Sequence, residues 1–496
     1  MNIVIIGSGL SGLSCAVVLA KNGHQVTVLE KEAVIGGCLQ CFKRKGVKFE
    51  TGMHFIGSAS EGQTLNKYMR YLEIDDKVKL SPLDPEGYDV VCLDGKRYRF
   101  PNGREAFINQ MSEYFPHQRE NLQRYFDAIE EVSQASSLHS LKVSEGDSAI
   151  NTEYHLRSVN DVINSIITDP LLQKVLVGNL PLYAGERDKT PFATHSFIMD
   201  FYNQSAYRIV GGSDTIATAL QQTLERYGGR ILTNSQATAI NCEGKSATSV
   251  CVNGTSTIPA DYVISSIHPQ RTLDLLNTPL IRNVYRQRIN SIPNTVSCFT
   301  IYVEFKDGAM PYMNHNFYGY HTDTPWDCEQ YDQDSWPKSY LYMHLCHEDG
   351  AKFAKAGEII CYMWMDDVKQ WAGTKPMQRG QEYEDFKLQK TRKVFQSIEK
   401  EFPGFQDTIK NYYTSTPLTY SDYTATVGGS MYGMAKHIDM GPAGRVHHRT
   451  KISNLCLSGQ SINSHGMLGV LVGTIITCSE LLTTQSLCQQ IIEANK

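Results

Sequence analysis

Three features of the sequence predict an α/β architecture in which a Rossmann-like dinucleotide-binding domain is interleaved with an α+β domain of mixed sheet and helices. At the N-terminus an apolar strand, Ile3-Val4-Ile5-Ile6, runs straight into Gly7-Ser8-Gly9-Leu10-Ser11-Gly12. Nearly the whole chain later, a strand from Asn454 ends in Ser458-Gly459-Gln460, and His465-Gly466-Met467-Leu468-Gly469 opens a second helix. Between these ends, from roughly 290 to 420, apolar residues alternate with period two, as in a sheet.

The N-terminal element is a βαβ unit. Gly7 permits the tight turn, Gly9 lets backbone approach a pyrophosphate, and Gly12 lets helix and strand pack closely. The helix N-terminus offers free N–H groups to phosphates. The helix, about Leu10 to Asn22, carries Leu13, Ala16, Val17 and Ala20 at helical spacing and stops at Gly23. Val26-Thr27-Val28-Leu29 then ends on Glu30, at about the 20-residue offset where a carboxylate accepts from a ribose hydroxyl. That carboxylate would repel a 2′-phosphate, which disfavours NADP. Gly36-Gly37-Cys38 follows, a glycine pair that NAD-binding domains do not need and FAD proteins often use beside the pyrophosphate.

Residues 64–200 read as mainly helical. The chain then returns to the nucleotide domain: Tyr207–Gly212 leads into a helix with Ile216, Leu220 and Leu224 on one face, and strands follow at Gly228–Thr233 and Ala260–Ser266. In the sheet region Phe299, Ile301, Val303 and Phe305 alternate against Cys298, Thr300, Tyr302 and Glu304, and Tyr340, Tyr342 and His344 against Leu341 and Met343. An aromatic sheet face of this kind either walls a cavity for a long apolar ligand or packs as ordinary core. The domain boundaries that follow are 1–70, 205–270 and 421–496 for the nucleotide domain, and 71–204 and 271–420 for the substrate domain.

Composition narrows the class. The chain has 496 residues and a formal net charge of −5, which argues against a nucleic-acid partner. Thirteen cysteines in no regular framework point to a reducing, cytoplasmic setting. No run reaches the roughly 18–20 apolar residues of a membrane span. Cys38-Leu39-Gln40-Cys41 lacks a second pair for zinc, and no metal site is expected.

Three motifs carry a family resemblance: Gly36-Gly37-Cys38 with Gly52-Met53-His54-Phe55-Ile56-Gly57, Leu418–Tyr423, and Leu455–Val470. The whole chain resembles FAD-dependent oxidoreductases of the phytoene desaturase, carotenoid isomerase and retinol saturase group, within the amine-oxidase-like flavoproteins. Its Gly-Met-His-Phe form is similar to the retinol saturase branch. The resemblance implies FAD as cofactor, with Gly7, Gly9, Ser11 and Gly12 at the pyrophosphate and Glu30 at the adenosine ribose. It places Lys31 along the ribose or adenine, and Gly37 and Cys38 near the phosphates or ribityl chain. Ala237 stands where the family usually has a valine contacting adenine through its backbone. Gly459 and Gln460 reach phosphate and ribityl oxygens, although relatives often have an acidic residue in place of Gln460. Gly466, Met467 and Leu468 present amides to the flavin, and Met53 and His54 lie close to its ring.

The implied activity is redox chemistry at carbon–carbon double bonds of a long apolar polyene or isoprenoid, most like a retinol saturase. Desaturation and cis–trans isomerisation use nearly the same scaffold. His54 and His465 are the candidate general acids, because imidazole titrates near neutrality. Two other classes stay open: a flavin-free lipid-binding escort protein, and an amine oxidase, against which Cys38 stands where such enzymes often carry arginine. The electron donor is another protein or NAD(P)H. An apolar substrate comes from a bilayer or a carrier, so peripheral membrane contact is an expectation. Its best candidate is 156–180 with Val159, Val162, Ile163, Ile166 and Ile167, which core packing explains equally well.

Overall fold

The computed structural model describes residues 1–141 and 152–496; residues 142–151, within the predicted 71–204 segment, lie outside the described residues. Five parallel strands form the nucleotide sheet in the order Arg230–Leu232, Gln25–Leu29, Asn2–Ile6, Tyr262–Ser265, Leu455–Leu457. Alternation along the first strand splits it between two layers. Ile3 and Ile5 join the core beneath the helices, while Val4 and Ile6 join the core beneath a three-stranded meander built from Ala237–Glu243, Ser246–Val252 and Ser256–Pro259. Helix Leu10–Lys21 is buried on every side from Ser11 to Ala20, because helices Asp214–Arg226 and Gly466–Leu482 flank it.

The second sheet has seven strands in the order Ile409–Ser415, Ser297–Phe305, Ala356–Met363, Ser339–His344, Asn316–Tyr320, Asp89–Leu93, Lys96–Phe100. Only Asn316–Tyr320 and Asp89–Leu93 pair in parallel. The last two strands interrupt the region that reads as helical. They form a hairpin around Asp94-Gly95, both at positive φ (54° and 69°), a turn that Asp-Gly adopts readily between strands.

The sheet's two faces resolve the ambiguity of the aromatic alternation. Phe299, Ile301, Phe305, Tyr340 and Tyr342 pack with Val394, Phe395 and Ile398 of helix Gln381–Glu401, so the aromatic face is core. The opposite face, with Leu341 and Tyr362, meets the helical layer and the cavity described below. That helical layer also corrects the membrane candidate. Val159, Val162, Ile163, Ile166 and Ile167 are all buried in its core, so their apolar stripe is already covered. Among the described residues no single helix is long and apolar enough to cross a membrane. Gly466–Leu482 and Thr484–Glu493 reach that composition only together, across a 119° bend.

Candidate flavin and substrate site

Two glycine loops clasp each other at the sheet's carboxyl edge. Gly7 (φ 96°), Gly36 (φ 117°) and Gly37 (φ 55°) hold conformations that side chains rarely adopt. Gly36 N–H donates to the Ser8 carbonyl (3.1 Å). A Cβ on Gly37 would lie 3.2 Å from Gly9 Cα, and one on Gly12 would lie 2.0 Å from the Gly7 carbonyl oxygen. Gly9, by contrast, has nothing within 4 Å of such a Cβ. The loops therefore leave bare backbone facing open space. Glu30 closes the end of the second strand, accepting from Ser8 N–H (3.1 Å), Ser8 Oγ (2.5 Å) and Glu32 N–H (2.9 Å). Ser11 Oγ lies 2.6 Å from Ser458 Oγ, which ties the first helix to the C-terminal turn.

These elements line one cavity of about 520 Å³. On its wall stand Gly7, Gly9, Ser11, Glu30 and Lys31 from the first βαβ unit, and Gly37, Cys38, Met53 and His54 from the loops after it. Ala237 joins from the meander, and Gly459, Gln460, Gly466 and Met467 from the C-terminal turn and helix. Gly12, Leu468 and His465 stand behind this wall: Gly12 packs against Gly7, and Leu468 is part of the core. His465 is the residue preceding helix Gly466–Leu482, buried with its ring 4.5 Å from that of Tyr432. Burial, with Lys436 nearby, holds it down to about 3, so it is a neutral imidazole.

Lys31 turns outward. Its Nζ donates to the Asp422 carbonyl (2.6 Å) and pairs with Glu32 (3.1 Å). It thereby pins the segment that carries Tyr423, Thr424 and Ala425 along the cavity. Lys31→Ala is expected to raise the dissociation constant for FAD by about threefold to tenfold, the worth of one partly exposed charge-assisted hydrogen bond, measured by flavin fluorescence.

Behind the other half of the cavity wall, in contact with it through His54, lies a buried ionic cluster. His54 Nδ1 lies 2.9 Å from Glu358 Oε2 and 3.5 Å from Glu50 Oε2. Glu358 also accepts from Glu50 N–H (2.9 Å), and Glu50 from Ser213 N–H (3.0 Å). Arg208, 1% exposed, donates to the His54 carbonyl (3.3 Å) with its guanidinium over the Phe55 ring. Burial pushes the Glu50 carboxyl up to about 7, against the pull of His54. Burial alone would strip the proton from His54, but the two carboxylates outweigh it and hold the ring up to about 9. At neutral pH His54 is an imidazolium on the cavity wall. Glu50, Glu358 and Arg208 escape the sequence reading: no spacing links Glu50 to a strand 308 residues later, and only the packed sheet brings them together.

The cavity thus joins a glycine cradle with an acidic ribose anchor to a wall of Met53, His54, Met467 and Tyr432, a donor set that fits an ADP half and a flavin ring end to end. It defines a flavin oxidoreductase, and its cofactor is FAD. The chain belongs to the family of flavin containing amine oxidoreductases, which matches residues 10–475. It is similar to all-trans-retinol 13,14-reductase of Rattus norvegicus, 26% identical over 97% of this chain and 86% of that protein. It is also similar to the human protein of that name, 25% identical over 97% and 85%. Prolycopene isomerase 1 of an Oncidium hybrid cultivar is 24% identical over 94% of this chain and 82% of its own length. Among solved structures, an oxidoreductase from Methanosarcina mazei superposes with a TM-score of 0.65 at 17% identity, covering 96% of this chain and 99% of that one. Putrescine oxidase bound to putrescine superposes at 0.63 and 14%, covering 99% of each.

Proposed function

We propose that this chain acts on a carbon–carbon double bond of a long apolar polyene or isoprenoid, and that the reaction is saturation of that bond. The single observation that carries the proposal is His54 held between Glu50 and Glu358 on the wall of a cavity otherwise walled largely by apolar and aromatic side chains. FAD, when bound, supplies the hydride equivalent. The chain supplies the rest: the glycine cradle holds the nucleotide, and the sheet floor of Leu341 and Ile360 orients an apolar chain. His54 delivers the proton to the second alkene carbon from Nε2, since Nδ1 is turned to the carboxylates. His465, neutral and behind the wall, serves the fold of the C-terminal turn in this reading.

The likeness to retinol 13,14-reductases supports saturation, and that to prolycopene isomerase supports cis–trans isomerisation as the second reading. Electrons come from a protein donor or NAD(P)H, and the substrate from a bilayer or carrier reached by peripheral contact. Anaerobic incubation of photoreduced enzyme with retinol, carotenoids and unsaturated lipids, followed by mass analysis, separates the readings. A product heavier by two hydrogens is expected. Unchanged mass with shifted retention establishes isomerisation; no product from any of these, with peroxide released from a panel of amines in a separate aerobic assay of the oxidised enzyme, would overturn both.

A further inference from the structure

The first helix touches the C-terminal turn at Ser11 and Gly459. Gly459 holds φ 106°, and a Cβ there would lie 3.9 Å from Ser11 Cβ. Both residues stand on the cavity wall. Just beyond strand Leu455–Leu457 comes Ser458, buried, with its N–H donated to the Ser265 carbonyl (2.9 Å). The Ser458 hydroxyl has three neighbours. Ser11 Oγ lies at 2.6 Å, Thr477 Oγ1 of helix Gly466–Leu482 at 3.1 Å, and Cys15 Sγ at 3.7 Å.

The direction of these bonds follows from counting protons. A hydroxyl carries one proton and two lone pairs. Thr477 shares its proton between the Leu457 carbonyl (3.2 Å) and Ser458 Oγ, so Ser458 is an acceptor on that side. The Ser458 proton then has two acceptors in reach, the Ser11 oxygen and the Cys15 sulfur. Sulfur accepts weakly, and 2.6 Å is at the short, strong end of O–H···O contacts. The proton therefore goes to Ser11. If Ser11 donated instead, the Ser458 proton would be left with the sulfur alone. Among the described residues Ser11 Oγ bonds to no other oxygen or nitrogen, so its own proton is left for the cavity. Each donor in such a chain strengthens the next.

We propose that Ser458 is a positioning residue for the cofactor: with Thr477 behind it, it turns Ser11 into a hydrogen-bond donor toward the pyrophosphate. The reverse polarity would aim Ser11 lone pairs at an anion. Thr477 belongs to the helix whose first residues, Gly466 and Met467, line the flavin half of the cavity. The relay thus joins the helix at the flavin to the helix at the phosphates, two elements more than 440 residues apart in sequence at the Ser11–Ser458 contact.

The test is a double-mutant cycle on the full chain, stripped of FAD and titrated with FAD by flavin fluorescence. Ser11→Ala is expected to weaken FAD by about tenfold to hundredfold, the worth of one hydrogen bond to a charged group, and Ser458→Ala by about threefold to tenfold. In the Ser11→Ala background, Ser458→Ala is expected to change the affinity by less than about twofold, because no donor remains to be aimed. Thr477→Val runs the same cycle with a smaller first effect, and replaces Ser458→Ala should that variant not fold. Phosphorus NMR of the FAD-loaded proteins separates aiming from mere support. The pyrophosphate resonance moved by Ser11→Ala is expected to move in Ser458→Ala as well. An equal loss of affinity in both backgrounds, or phosphorus resonances that stay at their wild-type positions in Ser458→Ala and Thr477→Val, overturns the proposal.

Discussion

Gly9→Ala is expected to give a folded but colourless protein, and Gly12→Ala an unstable one. The two glycines sit three residues apart, Gly9 at the cap and Gly12 in the first turn of helix Leu10–Lys21, yet the spaces around them are opposite. At Gly9 the backbone is extended (φ −66°, ψ 175°), a conformation any residue adopts, and an added Cβ meets no protein atom within 4 Å. The methyl group projects into open space lined by the glycine cradle, where the pyrophosphate is expected. Displacing that group forfeits two or more hydrogen bonds to a charged partner at about 1.5–3 kcal/mol each, or about 10²- to 10⁴-fold in affinity. At Gly12 the Cβ would fall 2.0 Å from the Gly7 carbonyl oxygen, so the helix must move off the strand. Overpacking of that kind costs about 1–3 kcal/mol and distorts the cradle as well. Flavin absorbance per chain and the thermal midpoint of the apoprotein read the two effects separately. Stoichiometric FAD in purified Gly9→Ala would show that the pyrophosphate lies elsewhere.

That contrast also marks what a sequence can reveal. The cradle is legible because its parts are local: strand, glycines, helix and Glu30 all fall within thirty residues and each has one physical role. The returning strands Arg230–Leu232 and Tyr262–Ser265 are legible from apolar runs bounded by turns. The aromatic face of the second sheet is legible as a face, but alternation alone does not say which layer covers it. Helix Gln381–Glu401 takes the aromatic side, and the cavity takes the side of Leu341 and Tyr362. The hairpin Asp89–Phe100 is hidden in a helical reading, although Asp94-Gly95 between two alternating runs signals it. Arg208 and Glu358 leave no local trace. Each is a single charged residue in an apolar strand, and its meaning comes from partners brought together only by the fold.

Glu358 is where that hidden part of the site makes its largest claim. A buried ion pair is weak evidence for stability, because desolvation offsets the attraction, so the cluster calls for a functional account. His54 keeps its proton only because two carboxylates overcome burial. The step that needs this proton is therefore expected to slow as pH rises through about 9, as the donor form is lost. In Glu358→Gln burial is opposed by Glu50 alone. The midpoint of this fall moves to lower pH, and the deficit at pH 8 shrinks when the assay is moved to pH 6. His54→Gln removes the donor altogether, and positioned proton transfer contributes about 10²- to 10⁴-fold. Its single-turnover flavin reoxidation by the polyene should drop by that order at pH values below about 9, with FAD still bound. The pair of variants discriminates between roles. A merely structural Glu358 would lower the rate equally across the pH range, whereas a residue that holds a proton on His54 moves the profile along the pH axis. A Glu358→Gln profile parallel to the wild type, or an unchanged rate in His54→Gln, would remove this cluster from the chemistry.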